Sequence, residues 1–231
     1  MRAELRRLDA DYSCRMRSPI LALAGGAPAA VKLAYQEYAS RYPAVTASDF
    51  RGINSENLAG VGIQINFLGG QIQTEIKVDQ ITVQVRNLSS EEHIKFAQDV
   101  AIIAHGLGRS LQPDSDAGEA TLVVRSWTSV GGRQLVDRLF ANSATQKGKF
   151  TVDKASAGIA VIYPPHFEIV NAEDGWRVSV QMDYSALSSA DLFVLRNYSF
   201  SADGKCRTVE DRLSVVDMTA TSIATWLGLE A

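Results

Sequence analysis

Cysteine is nearly missing from this chain of 231 residues: Cys14 and Cys206 are the only two. Two thiols cannot make a disulfide framework, so a reduced, cytoplasmic compartment is the expectation. Histidine is almost as scarce. His93, His105 and His166 include no pair at the four-residue spacing of a helical zinc site, and neither a metal nor another cofactor is expected. No apolar run approaches the ~18 residues of a membrane-spanning helix, so no membrane association is expected. Neither sign of charge dominates. The 23 basic and 26 acidic side chains give a net charge of −3, and each half of the chain is close to neutral. A protein that grips nucleic acid by neutralising phosphates needs a basic surplus, so nucleic acid is not an expected partner. The arginines before Ile20-Leu21-Ala22-Leu23-Ala24 imitate a secretory leader. Its apolar core falls short of the roughly 7–15 residues such a leader needs, and Glu4, Asp9 and Asp11 have the wrong sign.

Familiar catalytic patterns are missing as well. No Gly-x-Ser-x-Gly elbow presents a serine nucleophile. Gly60-x-Gly62 has no third glycine and opens a strand, the wrong order for a dinucleotide site. Gly25-Gly26 precedes a helix whose free N–H groups would suit an anion, but it lacks the lysine of a nucleotide loop. Asp114, Asp116 and Glu119 do not match a twelve-residue calcium loop and read as a solvated turn. Cys206 lies between Lys205 and Arg207, cations that would lower a thiol pKa. No histidine is near it in sequence, and a turn explains the position. The chain is not expected to be an enzyme.

What is present is side-chain alternation. Val61, Ile63, Ile65 and Phe67 alternate with polar or small residues up to Gly69-Gly70. Ile72, Thr74, Ile76 and Val78 follow on the same parity, and Ile81, Val83 and Val85 continue after Asp79-Gln80. A two-residue loop at Gly69-Gly70 pairs Phe67 with Ile72, Ile65 with Thr74, Ile63 with Ile76 and Val61 with Val78. All four pairs then share one face, and a slip of one residue would turn the whole set outward. Asp79-Gln80 is either a second turn or a bulge in one bent strand.

Ser89-Ser90-Glu91-Glu92 reads as a capping box, with Ser89 as N-cap. Ile94 to Leu107 follows at helical spacing, and Gly106 or Gly108 supplies the stop. His93 and His105 fall near the two ends of this helix and read as surface or cap residues. Residues 1–17 read as a short helix or loose arm, and 18–28 as a linker. Pro28 opens a helix that Pro43 ends. Thr121–Trp127 reads as a central strand, and Gln134–Ala141 as a helix with Leu135, Leu139 and Phe140 inward. Ile159–Tyr163 is strand-like. Phe167 and Ile169 lead through Asp174-Gly175 to the alternating stretch Trp176–Tyr184. Asp191–Phe200 is another strand. A last helix runs from about Val209 to Leu227, with Thr208 and Asp211 at capping-box spacing. Leu213, Val216, Ala220, Ile223, Ala224 and Leu227 form its apolar face.

The expected fold is α+β. Antiparallel meander sheets carry helices on one face, and hairpins followed by a helix occur twice. The chain divides into an arm and linker (1–28), a first half (29–145) and a second half (146–231).

The outer face of the meander holds the candidate binding residues. Gln64, Asn66, Gln73, Gln84 and Arg86 make it rich in amides, which cost less to desolvate than charges. His166 joins them as the histidine in a loop. The expected function is a soluble interaction or peptide-binding protein, with itself or another protein as partner. The alternative is a small-molecule binder or enzyme with a pocket between sheet and helices, drawing on His166, Tyr163, Tyr184 or Arg125.

Overall fold

The Gly69-Gly70 turn forms as the side-chain parity requires. Gly69 and Gly70 have φ of 64° and 88°, but Leu68 has φ of 51° and Gln71 is helical, so the loop takes in Leu68–Gln71 rather than two residues and the ladder stops at Phe67 and Ile72. The register that follows pairs Phe67 with Ile72, Ile65 with Thr74 and Ile63 with Ile76. In this computed structural model the described residues are 4–145, 150–152, 155–157, 166–188 and 191–229. The expected strand at Ile159–Tyr163 lies outside them.

The strands are β1 (Glu4–Met16), β2 (Phe50–Ile53), β3 (Gly62–Phe67), β4 (Ile72–Lys77), β5 (Gln80–Leu88), β6 (Ala117–Ser129), β7 (Phe150–Val152), β8 (Ala155–Ala157), β9 (His166–Asn171), β10 (Trp176–Tyr184) and β11 (Asp191–Phe200). The helices are α1 (Ala22–Gly25), α2 (Ala27–Arg41), α3 (Glu91–Leu111), α4 (Arg133–Thr145) and α5 (Val209–Trp226). The fold is α+β, with nine strands in antiparallel sheet and five helices among the described residues. None of those helices is long and apolar enough to cross a membrane.

Two compact units divide the chain, one made of Asp11–Ala120 and the other of Met1–Ala10 with Thr121–Ala231. The first has the strand order β2-β3-β4-β5-β1. Its core is the inward row that the meander writes out: Ile63, Ile65, Ile72, Ile76 and Ile81 are all at most 1% exposed. Each such side chain contributes about 1.5–3 kcal/mol. The chain reverses rather than bulges here, but one residue earlier than Asp79-Gln80: Ile76 pairs with Ile81, so Val78 and Asp79 make the turn and Gln80 already belongs to β5. Tyr38 of α2 packs on Phe50 and Phe67 with ring centroids 5.8 and 5.1 Å away. Its hydroxyl donates to the Val100 carbonyl of α3 at 2.9 Å. Pro28 stands in the first turn of α2, as its fixed φ favours.

Several expectations are corrected in this unit. Residues 4–16 form strand β1 rather than a helix or loose arm, and α1 falls within the expected linker. The strand was obscured by its charges. Tyr12 and Cys14 are buried on its inward parity. The helix cap is Ser90, not Ser89. Ser90 Oγ accepts from the His93 N–H at 3.2 Å, and no glutamate stands three residues on to close a box. β5 runs on to Leu88, which is 1% exposed; it leaves the odd-numbered buried row because Asn87, at φ 57°, shifts the parity by one. Gly106 and Gly108 do not stop α3. A Cβ on Gly108 would lie 3.3 Å from Ile20 Cδ1 and Ile81 Cδ1, so this glycine lets the helix approach its neighbours. The stop comes from Pro113, which forces Gln112 into extended backbone. His105 is no surface cap either. It is 5% exposed, and its Nε2 lies 3.0 Å from the Tyr12 hydroxyl.

The second unit has the order β1-β6-β11-β10-β9, with β7 paired to β8. β9 and β10 form the expected hairpin, Asn171 opposite Trp176. On β11 the inward row is Leu192, Val194, Arg196, Tyr198 and Phe200, all buried. Arg196 faces Val180 of β10, which faces Phe167 of β9. Val136, Leu139 and Phe140 are buried on α4. The capping box at Thr208 and Asp211 forms in full. The buried stripe of α5 differs from the expected one: Val209, Arg212, Val215, Thr219 and Ile223. Arg212 and Thr219 can sit there because each finds partners. Arg212 Nε donates to the Cys206 carbonyl at 3.1 Å, and Thr219 Oγ1 lies 2.8 Å from the Tyr198 hydroxyl.

Candidate functional site

Four of the expected binding residues come together on the outer face of β3, β4 and β5. Asn66, Gln73 and Gln84 stand directly opposite one another across the three strands. One row along, Arg51 of β2 faces Gln64, which faces Glu75. An open polar depression of about 660 Å³ lies over this face and includes Arg51, Gln64, Gln73, Glu75 and Lys77 in its wall. Its polar groups largely satisfy each other. Arg51 Nε donates to Gln64 Oε1, Gln73 Nε2 donates to Glu75 Oε1 at 3.3 Å, and Lys77 Nζ lies 2.7 Å from Glu75 Oε2. Arg86 is engaged by Asp11 and donates to the Val85 carbonyl at 2.8 Å.

His166 belongs to the other unit. It is exposed at the start of β9, with Nε2 3.0 Å from Ser179 Oγ. The other groups considered for a pocket are scattered. The Tyr184 hydroxyl donates to Asp137 at 2.6 Å, and Arg133 lies 5.1 Å above its ring. Arg125 has the parity opposite to the buried Leu122, Val124 and Ser126 of β6. Tyr163 lies outside the described residues. Cys206 carries no activated thiol. Burial pushes its pKa up, Asp174 and Asp211 add to the rise, and Arg212 opposes it. The neighbouring Lys205 is already paired with Glu173 and Asp174 at 2.6 and 3.1 Å.

The second unit holds a site that the candidate residues miss. A cleft of about 260 Å³, open to solvent on one side, lies between inward strand positions and α5. Leu5 of β1, Ser126 and Thr128 of β6, and Leu192, Val194 and Arg196 of β11 line it from the sheet. Ala220, Ile223, Ala224 and Leu227 line it from α5, followed by Leu229. Among the described residues the wall is aliphatic apart from two hydroxyls and one guanidinium.

Arg196 is that guanidinium, and it is 9% exposed. Its Nε is buried with no hydrogen-bond partner among the described residues. Buried polar groups are otherwise nearly always paired, so a buried cation with an idle donor calls for an explanation. Asp217 on α5 senses the charge without forming an ion pair with it. Burial raises the Asp217 pKa, and Arg196 pulls it back down.

No protein-family model matches the chain, and no curated protein matches it.

Proposed function

We propose that this chain is a binding protein that holds a small molecule in the cavity beneath α5. The carrying observation is the idle Nε of a buried arginine in the wall of an otherwise aliphatic cavity of about 260 Å³. Apolar walls with few placed polar groups are the usual make-up of a ligand site. Binding is favoured over turnover because the described lining residues offer one fixed cation and two hydroxyls, with no carboxylate or imidazole among them to move a proton.

A native mass spectrum of the purified protein, before and after addition of 1-hexanol, tests this. Ala224→Phe provides the control by filling the cavity from the helix side. A bound species in the original chain that Ala224→Phe abolishes is the expected result. No retained mass, together with a melting temperature that hexanol leaves unchanged, would sink the reading.

A second reading concerns the outer meander face. Asn66, Gln73 and Gln84 form a row across three strands, which favours self-association through paired amides. β2, at the end of its strand order, offers an edge for strand addition.

A further inference from the structure

We infer that the ligand of the α5 cavity is a short aliphatic carboxylate, its head on the Arg196 guanidinium and its tail among Leu5, Val194, Ile223 and Leu227. This rests on the cavity being a ligand site, and it adds the chemistry of what enters.

Charge decides the head group. A guanidinium presents its donors as a rigid planar fork that matches the two oxygens of a carboxylate. Arg196 is buried, and its Nε donor is unused and closed off from solvent, so a carboxylate reaches it only with a shift of the side chain. A neutral guest would leave the cation as costly to bury as before, and an ammonium would add to the cost. An anion removes it. Asp217 feels the charge of Arg196 but makes no ion pair with the guanidinium among the described contacts.

Volume and lining decide the tail. At about 30 Å³ for each non-hydrogen atom, the share a water molecule takes in the liquid, the cavity has room for roughly nine such atoms. A carboxylate of about six carbons has close to that number. Among the described residues the wall has no aromatic ring, and branched aliphatic side chains and alanines dominate it, which suits a flexible methylene chain. A longer acyl chain would have to leave the cavity or displace α5.

The experiment is a calorimetric titration of the full chain with hexanoate and, separately, with 1-hexanol and hexylamine. Arg196→Met, Arg196→Lys and Ala224→Phe are run beside it, each checked for folding by circular dichroism. Hexanoate is expected to bind at least tenfold more tightly than hexanol, with hexylamine weakest. Arg196→Met should remove the preference and keep hexanol binding. Arg196→Lys should fall between, because the charge stays and the fork is lost. Ala224→Phe should abolish both ligands. If hexanoate and hexanol bind equally, and Arg196→Met changes neither, the carboxylate assignment is overturned and the cavity as a ligand site stands. If neither compound binds the folded chain, the ligand site itself is overturned. Hexanoate binding that survives Ala224→Phe would place the anion elsewhere and overturn the assignment too. Should Arg196→Met fail to fold, Arg196→Lys still decides, since undiminished hexanoate affinity there contradicts a role for the fork.

Discussion

Two buried arginines of one unit show how partners decide the sign of an effect. Arg212 is 1% exposed, donates to the Cys206 carbonyl at 3.1 Å and lies 5.6 Å from the Phe200 ring. Arg196 is 9% exposed and has an idle Nε. Arg212→Ala should therefore cost about 1.5–3 kcal/mol, the range for losing hydrogen bonds to a charged group. Arg196→Met should stabilise the ligand-free chain by about 1–3 kcal/mol, because it removes an unsatisfied buried group. Urea denaturation measures both, and equal signs would contradict the contrast. Cys206 supplies a test by pH. Its pKa is raised by burial first, so the thiol stays protonated beyond the ordinary range. Thiolate is the reactive form. Labelling at about pH 8 should be slower than for free cysteine, whose pKa is about 8.5, and should climb only above that value. Fast labelling near neutrality would refute the shift. Cys14 is 0% exposed and should not contribute while the chain is folded.

Within the elements, backbone approach matters as much as side-chain pattern. A Cβ on Gly62 would lie 2.3 Å from the Ile76 carbonyl oxygen across the β3–β4 ladder. Gly70 has φ of 88° and nothing within 4 Å of its missing Cβ. Gly70→Ala should cost about 1–2 kcal/mol, the strain of a left-handed residue alone. Gly62→Ala should cost about 1–3 kcal/mol or more, because backbone atoms must move apart. Thermal melts of the two variants should rank Gly62→Ala lower, and the reverse order would show that the turn outweighs the ladder. Strongly alternating elements were readable from sequence, and the β3–β4 register followed from parity and the Gly69-Gly70 turn alone. β1 was not readable, because Arg6, Arg7, Asp9 and Asp11 interrupt its apolar rhythm. Arg7 is held by Asp9 at 3.0 and 2.6 Å, a pairing along the strand that composition cannot reveal. The stripe of α5 was displaced for a similar reason. Arg212 and Thr219 read as outward residues until their partners are known.

At the scale of the whole molecule, association is the property to measure. The amide row of Asn66, Gln73 and Gln84 would pair with a second copy at modest desolvation cost. Gln73→Lys with Gln84→Lys places like charges directly opposite on adjacent strands, which repels across an interface and also weakens the strand pair itself by up to about 1 kcal/mol. Sedimentation equilibrium should show the double variant at a lower mass than the original chain. Equal masses would count against the sheet face as an interface. The chain divides into two compact units. The division falls inside β1, between Ala10 and Asp11, and inside β6, between Ala120 and Thr121. Neither place has the change of composition that marks a linker.

By itself the sequence determined the local choices of this protein. It set which stretches are strand or helix where the period is clean, the face each strand buries in the meander, the β3–β4 register and the Thr208 cap. These follow from interactions between residues close in the chain, where period and turn chemistry act directly. Only the tertiary structure decided which polar residues are buried with partners and which without. His105 met Tyr12, 93 residues away, and Arg212 met a carbonyl. Arg196 stands on the inward parity of β11 with Leu192, Val194, Tyr198 and Phe200, and that parity was the one signal the sequence carried for it. Whether such a residue is satisfied depends on strands and a helix far apart in the chain closing around it, and no local pattern encodes that closure.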